Sequence, residues 1–257
     1  MSIDLSIVES VANIIINNPS KKNALNLEMR RSFLEAINIC RASSDIRAVL
    51  IRGEGGAFCS GADVSRMGSQ DLLTVRQRLQ EVDNALILAL NSIEKPVIAA
   101  VQGPAVGMGW SIALACDSIV AAKSSSFCQI FLKVGLAPDT GSAWLLARRA
   151  GWSKAKELAL SCDFVGAEEA SELGLVDEVC EDCDVLDRAL ELAKKMAEGP
   201  TFAIGLTKTL FNAAFSPSLS EFLEIETMVV SQLTQTADHL EGIQAFKEKR
   251  LPQFRGR

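Results

Sequence analysis

The sequence predicts an α/β fold, with a mixed core of strand–loop–helix units followed by a helical C-terminal region. Two observations carry this expectation. Strand-sized apolar runs, among them IRAVLIRG at 46–53 and KPVIAAVQG at 95–103, end at glycine and lead through a loop into helix-spaced sequence. After about residue 185 those runs stop, and only helical periodicity remains.

Taken in order, DLSIVESVANIIINN reads as two short strands about a turn at Glu9–Ser10. NLEMRRSFLEAINICRAS has apolar residues at helical spacing, which predicts a helix over 27–43. The strand at 46–53 runs into a glycine-rich loop, GEGGAFCSGAD, and residues 71–94 read as a long amphipathic helix. The strand at 95–103 leads to PAVGMGWSIALACD, where glycines open an apolar helix, and DSIVAAK is a strand again. Beyond 185, VLDRALELAKKMAE, TFAIGLTKTLFNAAF, LSEFLEIETMVVSQL and TADHLEGIQAFKEKR all read as helices. EGPT at 198–201 is the joint, dividing a core at 1–198 from a helical region at 199–257.

The chain has 257 residues and a formal net charge of −6. That balance argues against nucleic acid as a partner, because phosphate binding calls for a basic surface. No apolar run reaches the length of a membrane span, and MSIDLSIVES lacks the basic-then-apolar order of a leader. A cytoplasmic protein with no membrane partner is expected. The seven cysteines sit mostly in apolar surroundings and read as free thiols in a reducing compartment. Cys180 and Cys183, in CEDC, have no second pair at zinc-ribbon spacing, so no metal is expected.

His239 is the single histidine and lies in the polar C-terminal region, so a Ser-His-Asp or Cys-His arrangement is not expected. GMGWSI starts like a dinucleotide fingerprint, but Ile112 stands where its last glycine belongs. An enzyme built from this chain must work with carboxylates and backbone dipoles. Two turns suit the backbone part. In AFCSGAD, Gly61 allows a sharp turn that exposes the N–H of Ala62. In QGPAVGMGWS, Gly107 and Gly109 open a helix whose first N–H groups, that of Met108 among them, lack internal partners. Two such donors converging on one oxygen make an oxyanion hole.

FCSGADV, KPVIAAVQGPAVGMGWSIALACD, EASELGLVDEV and GIQAFKEKRLPQF together resemble, in content and order, the enoyl-CoA hydratase/isomerase (crotonase) family. The resemblance spans essentially the whole chain. It implies a crotonase-like spiral of ββα units, a C-terminal helical region that serves trimerisation, and a homotrimer or homohexamer. It also implies an acyl-CoA thioester substrate, with coenzyme A entering as part of that substrate and no separate cofactor. The enolate formed at the thioester carbonyl would be held by the N–H groups of Ala62 and Met108. Relatives commonly carry glycine in place of Met108, a change that a backbone donor tolerates. Ser60, Gly61, Asp63 and Gly107, in the same two turns, are implied as substrate-binding. Lys22 and Ala24, in SKKNALN, match the segment that meets the adenine and phosphates of CoA. Phe246 and Lys249 match a C-terminal pair that reaches CoA, often that of a neighbouring subunit. Taken alone, Lys22 and Lys249 read equally as solvated surface lysines.

The resemblance also locates what is missing. A hydratase of this family handles one water with two glutamates, and the matching positions here are Ser111 and Phe131. Water addition needs a base and an acid, and neither position supplies one. The family's isomerases that lack both glutamates carry one acidic residue in a G-L-x-P-D/E-x-G setting, and here GLAPDTGS supplies Asp139. One carboxylate can take a proton from C2 of a 3-enoyl thioester and return it at C4. An apolar pocket would raise its pKa and help that shuttle. Phe131 would make the pocket drier, and Phe58, Met67 and Trp144 are expected to line it. Read without the resemblance, Asp139 ahead of AWLLARRAG is a helix N-cap. Glu157 reads as a structural or surface residue. The implied activity is an enoyl-CoA isomerase. The alternatives are a hydratase with displaced acid and base, a CoA-thioester dehalogenase or hydrolase, and a non-catalytic CoA-binding scaffold.

Overall fold

In the computed structural model, which describes residues 1–66, 68 and 71–257, the chain opens with a hairpin. Strands β1 (Ser2–Val8) and β2 (Val11–Asn17) pair antiparallel from Ser2↔Asn17 to Val8↔Val11. The turn residues Glu9 and Ser10 have φ of 49° and 66°, the left-handed backbone that a two-residue hairpin turn requires. Helix α1 (Leu27–Ala42) starts at Asn26, whose side chain accepts the Met29 N–H at 2.8 Å. It buries Met29, Phe33, Ile37 and Cys40, a single helical stripe.

The later strands are β3 (Ala48–Gly53), β4 (Val97–Val101), β5 (Pro104–Val106), β6 (Ser118–Ala122), β7 (Ser126–Cys128), β8 (Val165–Gly166) and β9 (Glu178–Cys180). The main sheet has the order β1-β2-β3-β4-β6-β9 and is parallel beyond the first pair. A second, small sheet has the order β5-β7-β8. One face of the main sheet, with Ile14, Val49, Ile51 and Ala99, packs against α1 and the segment 84–92. The other, with Leu50, Ile98 and Val120, packs against Val185, Ala189 and Ala193 of the helix Val185–Ala197. Cover on both faces is why these strands are continuously apolar rather than alternating.

The helix expected over 71–94 is present in three continuous parts: α2 (Leu72–Arg78), a π turn (Leu79–Asp83) and α3 (Asn84–Ser92). It is followed by α4 (Met108–Leu114), α5 (Ser142–Ala150), α6 (Trp152–Ser161), α7 (Ala167–Glu172) and α8 (Val185–Ala197). The C-terminal region is α9 (Thr201–Ala213), α10 (Leu219–Leu233) and α11 (Ala237–Glu248). It is tied to the sheet by partly buried polar contacts. Arg47 donates to the Gly199 carbonyl at 2.7 Å and to Thr201 Oγ1 at 3.0 Å. Lys208 Nζ meets Asp117 at 2.7 Å and the Lys95 carbonyl at 2.7 Å. No helix among the described residues is long and apolar enough to cross a membrane.

Candidate active site

The two glycine turns lie side by side. Cys59 N–H donates to the Pro104 carbonyl at 3.1 Å, and Val106 N–H donates to the Cys59 carbonyl at 2.9 Å. The contact is so close that a Cβ on Gly109 would sit 2.1 Å from the Cys59 oxygen, so only glycine fits there. Gly61 has φ of +100°, and a Cβ on it would lie 2.9 Å from the Val106 oxygen and 3.8 Å from the Met108 nitrogen. On the opposite side, Leu25 N–H donates to the Gly61 carbonyl at 2.8 Å and Asp63 N–H to the Leu25 carbonyl at 3.0 Å. Ala62 is thus bridged to Leu25 through its neighbours, and its own N–H is directed away from that bridge. Met108 is the first residue of α4, so its N–H has no acceptor within the helix. Gly107 N–H is held by the Cys128 carbonyl at 2.9 Å. Next to Gly107 lies the buried ring of Phe131, 3.8 Å from where a Cβ would be.

The segment Lys21–Ala24 runs along the first turn. Ser60 N–H donates to the Lys22 carbonyl at 2.9 Å, and Ser60 Oγ to the Lys21 carbonyl at 3.0 Å. Lys22 is exposed and Ala24 is buried. It is Lys21, not singled out from the sequence, that pairs with Asp63, at 2.8 Å. That bond, with the Ser65 N–H on the other oxygen, holds the Asp63 carboxyl below the usual carboxylate range.

Asp139 is half-buried in the loop between Phe131 and α5. It does not cap α5. The N-cap is Gly141, with no side-chain cap bond, and Asp139 gives only its carbonyl, to Ser142 N–H at 3.0 Å. The capping reading is therefore overturned: the helix starts too far along the chain. Burial, then the nearby Asp83 carboxylate, pushes the Asp139 carboxyl up. Its neighbour Thr140 and the Arg78 and Arg30 guanidinium groups pull it down. Asp83 is 2% exposed and is gripped by Arg30, whose Nη1 donates to both of its oxygens at 2.8 and 3.0 Å. Arg78 Nε lies 3.4 Å from the same carboxylate. This buried cluster went unrecognised in the sequence. On α1 and α2–α3, Arg30, Arg78 and Asp83 look like ordinary charges of amphipathic helices.

Ser111, on α4, is fully buried and accepts a hydrogen bond from Thr140 Oγ1 at 2.9 Å. Phe58 is also fully buried, while Met67 lies outside the described residues. Trp144 lies on the outer face of α5. The inward face of α5 carries Ser142, Leu145 and Leu146, which turns Trp144 outward. It is 49% exposed, with its ring 4.1 Å from the Arg148 guanidinium, which also lies 4.0 Å from Phe215. Phe246, 86% exposed on α11, borders a hollow of about 470 Å³ with Phe202, His239, Ile243 and Phe254, and none of the turn residues lines it. Lys249 is the exposed C-cap of the same helix, with φ of +55°. Glu157 pairs with Lys154 on the surface at 2.9 Å.

A family model described as enoyl-CoA hydratase/isomerase matches residues 6–257. The chain belongs to this family. It is 40% identical over 256 residues to a probable enoyl-CoA hydratase of Rhodobacter capsulatus, covering 100% of this chain and 98% of the relative. It is 36% identical over 261 residues to the 1,2-epoxyphenylacetyl-CoA isomerase of Escherichia coli, covering 100% of both. The crystal structure of a putative enoyl-CoA hydratase from Streptomyces coelicolor superposes with a TM-score of 0.96 at 33% identity, over 100% of this chain and 95% of that one. The fold is therefore the crotonase-like one that the motifs implied. Members with hydratase and isomerase names are similarly close, so the residues of the site must separate the two chemistries.

Proposed function

We propose that the chain is an acyl-CoA-binding enoyl-CoA isomerase with Asp139 as its single acid/base. The observation that carries this reading is the pairing of an absence with a presence. Ser111 and Phe131 stand where a hydratase of the family holds its glutamates, and the nearby free carboxylate is Asp139, half-buried and pushed up by its surroundings. Asp139 removes a proton from C2 of a 3-enoyl thioester. The charge passes to the thioester oxygen, where the N–H groups of Ala62 and Met108 hold the dienolate. The protonated Asp139 then delivers the same proton to C4, and the double bond ends between C2 and C3. Surroundings that favour its protonated form suit a group that must take up a proton and give it back.

Water addition would need a second working carboxylate. Asp83 is a candidate, but both of its oxygens are taken by the Arg30 clamp. A dehalogenase of the kind that pairs an aspartate with a histidine finds only His239, on α11 beside the separate hollow. The relative named an epoxyphenylacetyl-CoA isomerase supports a ring-derived acyl group as a substrate variant. Exposed apolar side chains on the C-terminal helices, Phe211, Leu219 and Phe246 among them, support a homotrimer or homohexamer. The test is a spectrophotometric assay of a 3-enoyl-CoA beside a 2-enoyl-CoA in water. Conjugation of the first without hydration of the second, abolished by Asp139→Asn in a folded protein, is the expected result. Full activity of that variant, or hydration of the 2-enoyl-CoA, would end this reading.

A further inference from the structure

We infer that Thr140 and Ser111 form a latch that sets Asp139 in register with the Met108 end of α4, which makes Thr140 a positioning residue. The inference rests on the isomerase reading above. Thr140 has φ of +50°, in the left-handed region that β-branched residues rarely enter. Glycine would take up this backbone freely; threonine must be held in it. Burial and one hydrogen bond hold it there. Thr140 is 3% exposed, and its hydroxyl donates to Ser111 Oγ at 2.9 Å. Ser111 Oγ in turn donates to the Gly107 carbonyl at 3.3 Å. Gly107 is the residue before Met108, so covalent and hydrogen bonds run unbroken from Asp139 through Thr140, Ser111 and Gly107 to Met108.

The loop is braced on its other side as well. A Cβ on Gly141 would lie 3.5 Å from Ile87, one helical turn beyond Asp83 on α3. Asp139 is therefore held between two helices, and the hydroxyl pair is its polar attachment to the one that carries a proposed oxyanion donor. Ser111 matches the position where hydratases carry a glutamate. In this chain that space holds a brace for the remaining carboxylate in place of a second acid/base group.

The test compares Thr140→Val, Thr140→Ser, Thr140→Gly and Ser111→Ala with Asp139→Asn in the 3-enoyl-CoA assay. Thr140→Val keeps the shape and loses the bond; its kcat should fall about 10²-fold, the cost of a misaimed group, with KM little changed. Thr140→Ser should recover most of the rate. Thr140→Gly relieves the backbone and should melt no lower than the parent, yet lose kcat as the valine variant does. This is an outcome that a merely structural role would not give. Ser111→Ala should match it, and the Ser111→Ala/Thr140→Val pair should lose little more than either alone. The glycine and Ser111→Ala variants carry the test should the valine variant fail to fold. Parental kcat in the Thr140 variants, with Asp139→Asn inactive, overturns the latch alone. Parental kcat in Asp139→Asn overturns the shuttle reading itself, and the latch with it.

Discussion

The turns carrying Ala62 and Met108 are joined to each other by main chain, whereas side chains surround the carboxylate in the loop carrying Asp139. In the first, the Cys59–Pro104 and Val106–Cys59 hydrogen bonds and the close approach at Gly109 fix the geometry, and side-chain identity matters little provided that the glycines stay. In the second, a hydroxyl pair and a buried cluster of charges surround the carboxylate. The difference teaches which half can change its chemistry. Main-chain donors survive substitution, so their task stays the same. Side chains around a carboxylate can be exchanged one at a time, and each exchange retunes the acid/base.

The largest expected effect lies in the side-chain half. Asp139→Asn should lower kcat for a 3-enoyl-CoA by roughly 10²–10⁴, the usual worth of a positioned acid/base. The same change should alter stability in a defined sense. The folded pKa of Asp139 lies above its ordinary 3.8. Its contribution to folding is therefore full at low pH and is lost as pH rises through the raised value. The asparagine variant should lack that decline, which melting curves between pH 4 and about 8 would reveal. Next comes Asp83→Asn, which leaves buried Arg30 without its partner and should cost about 3–5 kcal/mol in denaturant unfolding. It also removes the negative charge beside Asp139, so the acid limb of kcat/KM should move to lower pH. A limb that stays in place would mean that Asp83 does not tune the site.

Breaking the main-chain half takes a glycine. Gly109→Ala forces a Cβ against the Cys59 carbonyl and should cost about 1–3 kcal/mol, with a loss of rate because both donor turns must part. Smallest is Trp144→Ala, which removes the stacking on Arg148 and should cost about 0.5–1 kcal/mol with kcat unchanged. A kcat loss there would place Trp144 in the acyl pocket after all.

The parts of the fold with a strong period were legible in the sequence. The hairpin, α1, the apolar strands β3 and β4 and the C-terminal helices all have enough residues for spacing to speak. The three-stranded sheet was not. Pro104–Val106, Ser126–Cys128 and Val165–Gly166 have three residues or two each, too few for a pattern, and their partners are distant in sequence. The same division holds for the site. Gly61, Gly107 and Gly109 could be read because glycine marks unusual backbone. The Arg30–Asp83 pair could not, because its members are 53 residues apart and each looks like a surface charge. Nothing in GLAPDTGS announces that its threonine, flanked by an aspartate and a glycine, shares the left-handed backbone of its two glycines.

The π turn at Leu79–Asp83 has a consequence for insertions and deletions. A π turn accommodates one residue more than a regular helix of the same span. Arg78 lies just before it and Asp83 at its end, so the surplus residue sets how the two face each other and how both face α1. Deleting one residue there would remove the surplus and restore a regular helix, changing the spacing of Arg78 and Asp83 from five residues to four. A change of chain length by one residue would thus alter the arrangement of charge around Asp139 without substituting Arg30, Arg78 or Asp83.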